Sequence, residues 1–225
     1  MKDKVLIIIP AFNEEKRLGK LLKNISSIIP LKDVLVVDDG SQDKTAIIAK
    51  RAGSRVLSQK TNQGKGLALR AGFDFAIRNG YNAVITMDAD SQHDPDEIPT
   101  FLAYYEKYKT DLIIGTRKHD LSEMPFTRFM ANTSSSLVAS ILAGVRINDS
   151  QSGYRFIKKD LIEKINLKDG RFQMETEIIV KAARAGFSVG EVPIRTIYLE
   201  GTKSYVNPFF DTVRFIRLVL RMLWR

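Results

Sequence analysis

Residues 5–15 read VLIIIPAFNEE, and the first six decide the fold. An unbroken run of Val, Leu and Ile has no polar face, so it reads as a strand covered on both sides, as in parallel sheets flanked by helices. VLVVD at 34–38 repeats the pattern. Between the two, Leu18, Leu21, Leu22, Ile25, Ile28 and Ile29 recur at helical spacing, with Asn13 as the expected N-cap, which makes a βαβ unit. The alternation then predicts a helix over about 43–51, a strand near 55–58, a helix over about 65–79 and a strand over 83–87. A helix opens at Asp94-Pro95, where Asp caps and proline suits the first turn, and DLIIG at 111–115 supplies a further strand. The first 117 residues therefore predict a doubly wound α/β sheet that binds its ligand at the carboxyl ends of the strands.

Bulk properties narrow the function. With 225 residues and 44% hydrophobic content, the chain suffices for one large domain, or a domain with a small appendage. The absence of cysteine rules out disulfides and thiolate metal sites. The apolar run at the N-terminus ends at Pro10, well short of a signal-peptide core or the roughly 20 residues of a membrane span, so it is expected to be structural, with a cytoplasmic location as the default. A net charge of +9 points to an anionic partner: nucleic acid, an anionic membrane or a phosphorylated ligand.

Chemistry gathers where strands end. PAFNEE, DDGSQD, DADSQHD and GTRK each follow an apolar run, so Asn13, Asp38, Asp39, Asp88, Asp90 and Arg117 converge on one edge of the sheet. Asp88, Asp90, Asp94 and Asp96 fall within nine positions, where they repel one another unless something cationic is bound. Asp88-x-Asp90 brings two carboxylates near one point, and Gln92 adds a neutral oxygen. Such hard donors suit Mg²⁺ or Mn²⁺ holding a diphosphate. An Asp-x-Asp pair in isolation also fits a solvated turn or a helix cap. NQGKG (62–66) is no Walker A loop, since Gly66 stands where Ser or Thr is required, and Gly64-x-Gly66 lacks the third glycine of a dinucleotide fingerprint.

IIIPAFNEE, VVDDGSQDKT, NQGKGLALRAG, MDADSQHDP, IGTR and QSGYRFI occur in this order, and together they resemble the family 2 glycosyltransferases of GT-A fold, in particular the dolichyl- and polyprenyl-phosphate sugar transferase branch. The resemblance covers nearly the whole chain, less distinctively over the last 30 residues. It implies a GT-A catalytic domain over 1–200, with a nucleotide-sugar half (1–117) and an acceptor half (118–200), followed by an amphipathic tail over 201–225. It also implies that Pro10, Ala11, Asn13, Glu14, Lys65, Asp88, Ala89 and Asp90 lie along the donor, and that Asp38 or Asp39 contacts its base or ribose. Asp88, Asp90 and Gln92 would hold the Mg²⁺ or Mn²⁺, making Asp90 and Arg117 the catalytic pair.

The residues themselves leave several of these roles open. Asp39-Gly40-Ser41 also reads as a tight turn with Ser41 or Asp43 capping the next helix, and Lys65 as a solvated helix end. His93 is expected to be structural, and His119 has no companion at metal-ligand spacing.

The nucleophile separates two acceptor types. A hydroxyl needs a carboxylate base, whereas a phosphate monoester, with a second pKa near ~6, is already largely dianionic and needs positive guides. By resemblance Arg117, Arg128, Ser134 and Ser135 bind the acceptor phosphate, with Ser136 beside them, and Gln151 and Ser152 shape the pocket. Asp149 would be the base for a hydroxyl acceptor. Glu175 and Glu177 are a further pair, better read as acidic residues in the first turn of a helix ending near Gly186.

In the tail, Arg214, Arg217, Arg221 and Arg225 stripe a helix whose remainder is aromatic and aliphatic, which suits a membrane headgroup region, the alternative being a helix packed on the domain. The uncharged stretch Phe129–Val145 is a candidate wall of an apolar groove, and Lys203 and Ser204 a cover over the site. The expected protein is a peripheral enzyme at the cytoplasmic face, moving a sugar of GDP-mannose or UDP-glucose type to a polyprenyl or dolichyl phosphate, with no nucleic-acid partner. A hydroxyl acceptor is the first alternative and a nucleotidyltransferase the second.

Overall fold

The computed structural model describes residues 3–117, 126–167, 173–195, 197 and 216–222, with side chains of 126–129 excepted. Its strands are β1 (Val5–Ala11), β2 (Val34–Asp38), β3 (Arg55–Ser58), β4 (Ala83–Thr86), β5 (Leu112–Arg117), β6 (Arg155–Lys158) and β7 (Val189–Ile194). The helices are α1 (Leu18–Ser26), α2 (Thr45–Ala52), α3 (Lys65–Arg78), α4 (Ile98–Tyr108), α5 (Phe126–Ala143), α6 (Lys159–Lys164) and α7 (Gln173–Arg184). Residues 216–222 are also helical.

All seven strands form one sheet in the order β3-β2-β1-β4-β6-β5-β7. The β1–β2, β1–β4, β2–β3 and β5–β7 pairs are parallel, while β6 runs antiparallel to both neighbours. Thus β5 does not pair with β4. The chain leaves β5, returns through α5, and inserts β6 between them.

The continuous apolar strands are buried on both faces, as their composition requires. In β1, Val5, Ile7, Ile9 and Ala11 pack with Leu18, Leu21, Leu22 and Ile25 of α1 and with Phe101 and Tyr105 of α4. On the opposite face Leu6 and Ile8 meet Ala68, Leu69 and Phe73 of α3 and Ile178 and Ile179 of α7. Removing each such side chain from water contributes about 1.5–3 kcal/mol, so the strand is held from both sides.

One local expectation is corrected. Asn13 does not cap α1, whose N-cap position is Arg17 with no side-chain bond. Instead Asn13 adopts φ 56° and its carboxamide oxygen accepts from the Gln42 amide, tying the β1 loop to the β2 loop. Ser134, Ser135 and Ser136 lie inside α5, which begins at Phe126. One face of the tail helix, over 216–222, packs on the domain, the alternative given above: Leu218 and Met222 are buried with Leu142 and Val180, and Arg184 donates to the Met222 carbonyl. The Asp94 cap is as expected, its carboxylate accepting from the Asp96 amide with Pro95 in the first turn.

Candidate active site

The carboxyl ends of β1, β2 and β4 meet the N-terminus of α3, and side chains fix each loop in place. Asp38 accepts from the Ser41 amide, and the Ser41 hydroxyl in turn accepts from the Asn13 amide. Asp39 is buried and accepts from the amides of Gln63 and Gly64 at 2.8 Å each. It thereby sets the start of α3, and with it Lys65. Gly40 makes the turn possible, since its φ is +74° and a Cβ there would lie 2.5 Å from the Thr61 carbonyl carbon. Asp43, rather than Ser41, receives the Thr45 amide at the head of α2. Glu14 is buried, its amide donating to Thr45 and its carboxylate pairing with Arg17.

The acidic loop folds back on itself. The Asp88 amide donates to His93 Nδ1 at 3.0 Å, and the His93 ring stacks on Tyr154 with centroids 4.9 Å apart. Burial pushes the imidazole down to about 4, so His93 is neutral and acts as a brace. Asp90 accepts from the Gln92 amide across Ser91, whose φ is 65°. Burial and then the neighbouring Asp88 charge push the Asp90 carboxyl up to about 6, with Glu14 adding to the effect. Burial by itself would raise Asp88 too, but the Lys65 ammonium holds it down to about 2.

Lys65 is not a solvated helix end. Its Nζ lies 2.6 Å from Asp88 Oδ1 and 3.0 Å from Glu175 Oε1. Burial would lower the ammonium, yet the two carboxylates raise it well above the ordinary lysine value. Glu175 does lie in the first turn of α7, but it is buried and belongs to the site. Glu177 is fully buried and paired with Lys181 and Arg221.

On the other side of the edge, Arg117 forks onto Asp149, Nε to Oδ2 at 2.7 Å and Nη2 to Oδ1 at 2.9 Å. Asp149 is fully buried and also accepts from the Gln151 amide. Gln151 reaches Thr176 of α7, and Ser152 is buried beside the Tyr154 amide. Ser134 is exposed, Ser135 half-buried, and Ser136 buried against Ser150. The side chain of Arg128, together with His119, Lys203, Ser204 and the tail arginines Arg214 and Arg225, lies outside the described residues.

Sequence reasoning missed Arg155. Its buried guanidinium donates to the carbonyls of Ser150, Ser152 and Glu175, joining the Gln151 loop to α7, while burial pulls it down to about 10. A charged residue in the apolar run YRFI was the available signal, because a buried arginine must spend its donors.

Among the described residues no three His, Cys, Asp or Glu side chains gather as a metal cage. Asp88 and Asp90 nevertheless fit a hard divalent ion, which takes one or two carboxylates and completes its shell with water and substrate phosphates. The raised Asp90 carboxyl reflects burial first and then repulsion by Asp88, which the Gln92 amide and Lys65 offset only in part.

A mainly parallel sheet with one antiparallel insertion, helices on both faces and an acidic edge after β4 is the architecture of a GT-A glycosyltransferase. Residues 6–167 match Glycosyl transferase family 2, and the chain belongs to that family. It is therefore a glycosyltransferase, and the nucleotidyltransferase alternative falls. It is 34% identical to the undecaprenyl-phosphate mannosyltransferase of Micrococcus luteus, over 91% of this chain and 88% of that one. It is 30% identical to the UDP-N-acetylglucosamine–dolichyl-phosphate N-acetylglucosaminyltransferase of Methanococcus voltae, over 89% and 88%. Its fold is shared with glucosyl-3-phosphoglycerate synthase from Mycobacterium tuberculosis in complex with Mn²⁺, UDP and phosphoglyceric acid: TM-score 0.76, 18% identity, 99% of this chain and 78% of the other.

Proposed function

We propose that the protein transfers a sugar, with inversion, from a nucleotide-sugar donor to a polyprenyl or dolichyl phosphate at a membrane surface. The donor lies over residues 1–117, along Pro10, Ala11, Asn13, Glu14, Asp38 or Asp39, Lys65 and Asp88–Asp90. Residues 118–200 form the acceptor side. Asp88, Asp90 and Gln92 would hold Mg²⁺ or Mn²⁺, which supplies neutralisation of the charge that builds on the departing diphosphate. Relatives named for mannosyl and N-acetylglucosaminyl transfer both match over most of the chain, so the sugar is a matter for assay.

The observation that carries the choice of acceptor is the pairing of Asp149 with Arg117. A hydroxyl acceptor needs a carboxylate that can take a proton. Asp149, the carboxylate expected for that role, is fully buried and doubly bonded to a guanidinium. With both oxygens on the guanidinium it is suited to orienting Arg117 instead. A phosphate acceptor needs no base, and Arg117 with Arg128, Ser134 and Ser135 would orient it by charge and hydrogen bonds.

No helix among the described residues is long and apolar enough to cross a membrane. Exposed Leu137 and Ile141 on α5, 62% and 70% accessible, and Ile216 and Leu220 in the terminal helix support peripheral contact with lipid.

The test is a screen of labelled GDP-mannose, UDP-glucose and UDP-N-acetylglucosamine, with Mn²⁺ or Mg²⁺, against polyprenyl phosphate and the corresponding free polyprenol. Transfer to the phosphate and none to the alcohol is expected. Equal transfer to the alcohol would overturn the acceptor assignment. Flotation with anionic vesicles, reduced by Ile141→Asp, tests the surface.

A further inference from the structure

The mechanism gives Glu175 no task, yet it is buried in α7 with one oxygen on Lys65 and the other, Oε2, without a hydrogen-bond partner. A buried carboxylate oxygen left unpartnered is costly and calls for a reason. Lys65 is shared unevenly: 2.6 Å to Asp88 Oδ1 against 3.0 Å to Glu175 Oε1. The ammonium thus sits on Oδ1 of the carboxylate that a divalent cation would share. A divalent cation on that carboxylate would repel the neighbouring ammonium, which favours its moving away.

We infer that Glu175 is a positioning residue that provides a second seat for the Lys65 ammonium, which swings from Asp88 onto both oxygens of Glu175 when a divalent cation binds. This rests on the proposed cation seat at Asp88 and Asp90. The move is short, since Nζ already touches Oε1, and it fills the unpartnered Oε2. Gly153 clears the space: a Cβ there would stand 2.7 Å from Nζ and 3.0 Å from Asp88 Oδ2. Arg155 anchors the receiving end by bonding the Glu175 carbonyl. In the empty site the lysine neutralises Asp88, and in the loaded site it stays one carboxylate away, beside the leaving diphosphate.

The test reads Mn²⁺ binding directly, by the electron paramagnetic resonance of free Mn²⁺, in the presence of nucleoside diphosphate. Wild type, Glu175→Gln, Lys65→Met and the double variant are compared. Without the second seat the lysine holds Asp88, so Glu175→Gln is expected to weaken Mn²⁺ binding about ten- to hundredfold, the range for residues behind a metal ligand. In the Lys65→Met background the same change is expected to alter affinity by no more than about twofold. A similar loss in both backgrounds is simple loss of negative charge and overturns the inference, as does an unchanged affinity in Glu175→Gln. Failure of wild type to bind Mn²⁺ at all removes the cation seat, and the inference with it.

Discussion

Replacing Asp90 by Asn should make the ligand-free protein more stable while abolishing sugar transfer. Asp90 sits beside Asp88 with its carboxyl raised from 3.8 to about 6, by burial first and then by its neighbour's charge. Disfavouring the charged form to that extent corresponds to about 3 kcal/mol. Because the side chain is only half-buried, solvent reduces the realised cost to about 1–2 kcal/mol. The sign follows from linkage: the folded state binds this proton more tightly than the unfolded chain. The cost is therefore absent below pH 3.8, grows as pH rises toward 6, and is complete above it. Asparagine keeps the oxygen that accepts from the Gln92 amide, so the turn survives. For a chain of this size, thermal unfolding at pH 7.5 should rise by about 2–8 °C, and the gain should shrink toward pH 4. Adding Mn²⁺ with nucleoside diphosphate should then stabilise wild type and leave the variant unmoved. A variant less stable than wild type at pH 7.5 would refute the reasoning, since it would mean that Asp90's charge is compensated within the protein.

Other consequences are equally direct. Arg155→Met strands three buried carbonyls and should cost more than about 3 kcal/mol in urea unfolding; a loss below about 1 kcal/mol would show that water replaces the guanidinium. Arg117→Ala leaves Asp149 buried without its fork and should destabilise by about 3–5 kcal/mol, so the cleaner probe of acceptor binding is Arg117→Ala combined with Asp149→Ala, expected to recover stability but not transfer. Gly40→Ala forces a Cβ against the 61–62 backbone at positive φ, and should lower the melting temperature by several degrees in a thermal unfolding scan.

The fold was largely legible because its central strands are covered on both faces. VLIIIP and VLVVD have no polar side to show, which a parallel sheet between two helix layers accommodates. The strand-end part of the candidate site was legible for the same reason, since chain direction fixes where parallel strands end and so which loops meet: Asn13, Asp38, Asp39 and Asp88 share an edge. Asp94-Pro95 is likewise local chemistry, a cap and a first turn within three residues. Asn13 misled because capping propensity is also local, while its actual partner, Gln42, lies across the sheet edge.

What sequence could not supply was long-range pairing. β6 is four residues long and could have paired anywhere. Its insertion antiparallel between β4 and β5 carries Ser150, Ser152 and Gly153 to the acidic loop, with the Thr86 hydroxyl bonding the Gly153 carbonyl. That insertion leads on to α7 and sets Glu175 against Lys65, 110 positions away in the chain, turning an apparent solvated lysine and a helix-start glutamate into a buried charge cluster. It likewise sets Asp149 against Arg117. Periodicity and strand direction are properties of neighbours along the chain, so sequence determines them. Which charges neutralise one another depends on distances across the folded sheet, and only the tertiary structure decides those.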